Sequence, residues 1–136
     1  MIKILVVDDS DDDRILLKLL LNRILLTLSL ISGEVDESQI VLESEASAAS
    51  KIISESPDSI ALVLMDGNFV GQEINGPEAV ANIRKVSDVY IVMTTSEEDL
   101  AHQGLLNGAN NVITKDEIVK DANILLPLLK ELIFKK

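Results

Sequence analysis

Five short apolar runs, each followed by a segment with helical spacing, constrain this chain more than any other feature. Residues 2–7, 39–43, 60–65, 90–93 and 111–114 are rich in Val, Ile and Leu. Runs of that length and composition read as strands, and those without polar alternation as strands buried on both faces. Helical patterns fill the intervals at 11–29, 47–55, 76–86, 96–107 and 116–134. Strands separated by helices need crossovers, and crossovers within one sheet are right-handed. The expected architecture is therefore α/β: a doubly wound, five-stranded parallel sheet with helices on both faces. With 136 residues, no internal repeat and no linker-like stretch, the expectation is a single domain over residues 1–136 with no output domain.

The punctuation agrees with this reading. Ser10 or Asp11 can cap the first helix, with Asp12 and Asp13 near the positive end of its dipole. Residues 32–38 form a polar loop, Ser56-Pro57-Asp58 breaks the second helix, and Pro77 stands in a tolerated first-turn position. Pro127 is expected to kink or split the last helix.

Composition narrows the function classes. Acids outnumber bases 23 to 12, and the net charge of −11 repels nucleic acid phosphates. There is no cysteine, so a thiolate metal site and cysteine catalysis are excluded. The start MIKILVVDDS is too short in its apolar part for a signal peptide. The Leu-rich stretch 15–31 is interrupted by Lys18, Asn22 and Arg23, short of the about 20 apolar residues a membrane span requires. A cytoplasmic protein without membrane or nucleic acid contacts is expected. The Leu-rich helix reads as core, and its surplus apolar surface as a face for a second copy or another partner.

Chemistry gathers at the strand ends. Asp8 and Asp9 follow the first strand, Asp66 the third, Thr94 the fourth and Lys115 the fifth. In open α/β sheets the carboxyl edge is where sites are built. Taken singly, each residue has an ordinary explanation: a loop-capping acid, a turn hydroxyl, a solvated lysine. Together they place three carboxylates, which repel unless a cation lies between them, beside one hydroxyl and one amine. His102 stands apart in the fourth helix and reads as a surface residue.

The strings ILVVDDS, LVLMDGN, IVMTTS and GANNVITKD, in that order and each at a strand end, resemble the receiver domain of two-component response regulators. The resemblance covers nearly the whole chain. It implies a flavodoxin-like (βα)5 fold with strand order 2-1-3-4-5. It also implies Asp66 as phosphoacceptor and Mg²⁺ held by Asp8, Asp9, Asp66 and the backbone carbonyl of Asn68. Thr94 and Lys115 would then meet the phosphoryl oxygens, while Asn68 and Ser96 tune the lifetime of the phosphoryl group. The implied partners are a sensor histidine kinase or phosphotransfer protein and a downstream protein target. Such a protein catalyses only its own phosphorylation and dephosphorylation and is not otherwise an enzyme.

The chain departs from the family pattern in three places. Val70 and Gly71 stand where a proline usually follows the phosphoacceptor, in a loop about two residues longer than the family's usual spacing. Val112 replaces an aromatic switch residue, and Asp116 replaces a proline whose preceding bond is commonly cis. The long first helix and the loop after it are similar to receivers that pair with phytochrome-like kinases. Two rivals follow: a receiver-like binding module that signals without phosphorylation, and an aspartate-nucleophile phosphatase. The second needs an acid two residues after its nucleophile, where this chain has Asn68.

Overall fold

The computed structural model describes residues 3–32 and 40–134. Its elements run β1 (Lys3–Val7), α1 (Asp11–Ser32), β2 (Ile40–Glu43), α2 (Ala49–Glu55) and β3 (Ile60–Met65). They continue as α3 (Gly76–Arg84), β4 (Tyr90–Met93), α4 (Glu98–Leu106), β5 (Asn111–Val112), α5 (Lys115–Lys120) and α6 (Leu126–Phe134). Short 3-10 turns precede α2 and α6. Apart from Ser32, which ends α1, the polar loop expected at 32–38 lies outside the described residues.

All strands are parallel, in the order β2-β1-β3-β4-β5. Period-two alternation sends Leu5, Val7, Val63, Met65, Ile91 and Met93 to one face, where Ala49 and Ile53 of α2 and Ala79, Val80 and Ile83 of α3 cover them. Ile4, Val6, Leu62, Leu64 and Val92 point the other way, onto α1, α5 and α6. Both faces are buried, which is why the strands read as continuous apolar runs.

The register levels the carboxyl edge. Val7 pairs with Glu43 on one side and Met65 on the other, Met65 pairs with Met93, and Met93 with Val112. The next residues keep the ladder: Asp8 donates its N–H to the Glu43 carbonyl at 3.0 Å, Asp66 to Val7 at 2.9 Å and Thr94 to Met65 at 2.9 Å.

Three local expectations are corrected. The last helix divides at Asp121, six residues before Pro127, rather than at the proline. Asp121 is extended (φ −155°, ψ 92°), and its carboxylate accepts the Asn123 N–H at 3.1 Å. An aspartate offering its own backbone partner competes with the helix at that point, and Pro127 then falls in the first turn of α6, where no N–H is missed. The fifth strand stops at Val112 because Thr114 is spent on capping α5: its hydroxyl accepts the Glu117 N–H, while the Glu117 carboxylate accepts the Thr114 N–H. Burial of α1 is also narrower than its composition implies. Leu17, Leu21, Ile24, Leu25 and Leu28 are buried, but Ile15, Leu16, Leu19 and Leu26 are exposed. No helix among the described residues is long and apolar enough to cross a membrane.

Candidate functional site

The level sheet edge brings the strand-end acids into one cluster. Asp8, Asp9 and Asp66 each offer a carboxylate oxygen within 4.8 Å of the others. Asp8 and Asp66 are buried and Asp9 is exposed. Local hydrogen bonds hold the two buried carboxylates. One oxygen of Asp8 accepts the Ser10 N–H at 2.9 Å, and one of Asp66 accepts the Gly67 N–H at 2.8 Å. Arg14 steadies the turn from outside, donating to the Asp8 carbonyl at 2.6 Å and pairing with Asp11.

Lys115, the first residue of α5, reaches back into this cluster. Its Nζ lies 3.1 Å from Asp8 Oδ2, 2.8 Å from Asp13 Oδ2 and 3.6 Å from Asp66 Oδ2. Its backbone N–H donates to the Thr94 carbonyl at 3.0 Å, which ties the lysine to the end of β4. The bond joining Lys115 to Asp116 is trans, as are all peptide bonds of the described residues.

The electrostatics follow from burial and crowding. Burial raises the Asp66 carboxyl, and the neighbouring Asp8 charge raises it further. Lys115 and the Gly67 N–H pull it back, and Asp9 adds a smaller upward push, leaving it at about 6. For Lys115, burial works against the charged form, but Asp13, Asp66 and Asp8 outweigh it and hold the ammonium above the ordinary lysine range. Three carboxylates thus face one ammonium, with Asp9 a fourth acid in the cluster. A set of hard oxygen donors with surplus negative charge suits a small divalent cation such as Mg²⁺.

The remaining expected residues are placed by their elements. Thr94 is buried at the end of β4, while Asn68 and Ser96 are exposed on the loops after β3 and β4. Val112 is half-buried against the core beneath α2 and α3. His102 is exposed on α4, away from the acids in sequence and element. The loop from Gly67 to Asn75 lacks the family proline but is pinned by Gln72. That amide accepts the Ala46 N–H at 2.9 Å and donates to the Ser44 carbonyl at 2.8 Å.

Two residues in this arrangement escaped the sequence reading. Asp13 passed as a helix-dipole residue, because its place three after Ser10 does not tell how the helix presents it to the sheet edge. Gln72 carried no signal, because its partners on the turn after β2 are 26 and 28 residues away.

Comparison with known proteins gives a consistent picture of the fold. No protein-family model matches the chain, and no curated protein matches it significantly. Solved structures do match over nearly the full length. The response regulator domain of Thermotoga maritima CheB is 24% identical, with a TM-score of 0.63, covering 98% of this chain and 94% of its own. A response regulator receiver domain protein from Clostridium thermocellum is 21% identical, with a TM-score of 0.68, covering 97% and 99%. The Mn²⁺-bound form of the response regulator Rcp1 is 20% identical, with a TM-score of 0.65, covering 100% and 96%. The strand order, the all-parallel sheet and these likenesses lead to one conclusion: the chain has the flavodoxin-like fold of response regulator receiver domains.

Proposed function

We infer that this chain is a phosphoacceptor module of a two-component system. It takes a phosphoryl group on Asp66 from the phosphohistidine of a sensor kinase or phosphotransfer protein and signals by binding a downstream protein or by passing the group on. The observation that carries this reading is the meeting of Asp66 with Asp8, Asp9 and Lys115 at one sheet edge. Asp8, Asp9, Asp66 and the Asn68 carbonyl would hold Mg²⁺, which supplies charge neutralisation for the transferring group. The residues divide the rest of the work. Asp66 is the nucleophile, held in orientation by the Gly67 N–H. Lys115 supplies a point positive charge, and Thr94 a hydroxyl for a phosphoryl oxygen. The long first helix is similar to that of receivers that pair with phytochrome-like kinases, and the cytoplasm is the compartment this role implies.

A second reading rests on Val112. Branching at Cβ restricts its χ1, and it has no ring to swing between buried and exposed positions. A binding module that signals without phosphorylation would not need that swing. Incubation with Mg²⁺ and beryllofluoride or acetyl phosphate separates the two. A metal-dependent adduct, absent from Asp66→Asn, is expected. No adduct at saturating reagent would favour the binding module, and steady release of phosphate from small esters would favour a phosphatase.

A further inference from the structure

Building on the phosphoacceptor reading, we propose that Asp13 is a positioning residue for Lys115. It holds the ammonium away from Asp66 until a phosphoryl group takes the ammonium over. Lys115 Nζ is 2.8 Å from Asp13 and 3.1 Å from Asp8, both hydrogen-bonded, whereas Asp66 at 3.6 Å lies beyond hydrogen-bond length. An ammonium has three donors, and two are already directed at acids other than the phosphoacceptor. The pull comes from a different element: Asp13 is in the first turn of α1, Lys115 opens α5, and Asp66 follows β3. Ser10 Oγ accepts the Asp13 N–H at 3.2 Å, so the helix cap helps fix Asp13 independently of the ion pair. Its neighbours in the turn do not share the task. Asp11 pairs with Arg14, and Lys115 pairs with Asp8, Asp13 and Asp66 but not with the exposed Asp12.

The chemistry of acceptance shifts this balance. An Asp66 oxygen attacks phosphorus, and the new O–P bond forms as the donor's P–O bond (acetyl phosphate) or P–N bond (phosphohistidine) breaks. The electron pair leaves on acetate, or on the imidazole, which takes up a proton. The carboxylate's single charge is replaced by a phosphoryl group carrying close to two negative charges, roughly the charge of other protein phosphates. Lys115 then moves its donors from Asp13 to the phosphoryl oxygens. Breaking the Asp13 contact subtracts from the stability of the phosphorylated state, and removing Asp13 therefore favours that state.

The test is the affinity for beryllofluoride with saturating Mg²⁺, measured by calorimetry on the whole chain. Asp13→Asn should bind about five-fold tighter, the scale of one lost partly exposed ion pair. Asp12→Asn, with the same charge change in the same turn, should match the wild type. Unchanged or weaker binding by Asp13→Asn overturns the proposal, as does an equal gain in Asp12→Asn, which would mark a general charge effect. Thermal unfolding of each variant checks the fold, and Asp13→Ser takes the place of the amide variant if that one does not fold. An adduct with no Asp13 effect removes this proposal alone. No adduct in the wild type, as in Asp66→Asn, removes the phosphoacceptor reading and this proposal with it.

Discussion

Asp66 sits where the backbone of β3 leaves the sheet, buried and a few ångströms from two other acids. Its carboxyl titrates near 6 rather than at 3.8, chiefly because burial penalises the charge and Asp8 repels it. A group whose folded-state pKa is raised stabilises the fold when protonated and loses that contribution as pH rises through the shifted value. In metal-free protein, Asp66→Asn should therefore be more stable than the wild type at pH 7.5, by about 3 kcal/mol. The gain should vanish below about pH 4, where the wild-type carboxyl is protonated in both states. Urea unfolding in EDTA across that range checks it, and a gain that persists at pH 3.5 would sink the explanation. Asp8 and Asp66 were legible because each follows an apolar run directly, and Asp9 because it stands beside Asp8. Asp13 was not, because helical periodicity gives the spacing of a side chain but not the angle at which its helix meets the sheet.

Between residue and molecule, the loop after β3 shows how closely the site is built into its supports. Gly76 opens α3 with its N–H on the Gly67 carbonyl at 2.9 Å, and a Cβ placed on it would clash with the Asp66 carbonyl oxygen. Gly76→Ala should cost about 1–3 kcal/mol by overpacking. Because the clash falls on the backbone of Asp66, the variant should also weaken Mg²⁺ binding, measured by calorimetry. Lost stability with unaltered Mg²⁺ affinity would show that the loop relaxes away from the site. The helices were legible where caps are local: Pro77 marked the start of α3, and the pair Ser10 and Asp11 that of α1. The break at Asp121 was harder to foresee, since an interior aspartate is ordinary in a helix until its side chain captures a backbone N–H two residues on. The clasp of Gln72 depends on two loops meeting, which no local pattern records.

At the scale of the whole molecule, the parallel sheet with helices on both faces followed from the alternation of short apolar runs with helices, whereas the strand order came from the family resemblance. What alternation could not show was how much of α1 would stay exposed, since that depends on the width of the sheet beneath it. Mg²⁺ should raise the stability of the wild type by about 2.7 kcal/mol at a hundredfold excess over its Kd, and by much less in Asp66→Asn. Thermal melts with and without the ion decide this, and equal shifts in both proteins would place the ion elsewhere. The level edge carries one more consequence. The Lys115–Asp8 contact joins residues 107 apart in the chain, and Asp66 lies between them on the central strand. The ion's side-chain ligands Asp8, Asp9 and Asp66 follow β1 and β3, so occupancy by an ion reports the pairing of those two strands, whereas the Lys115 contacts wait for β5. During refolding, the metal signal should appear with the long-range pairing of β1 and β3 rather than with helix formation.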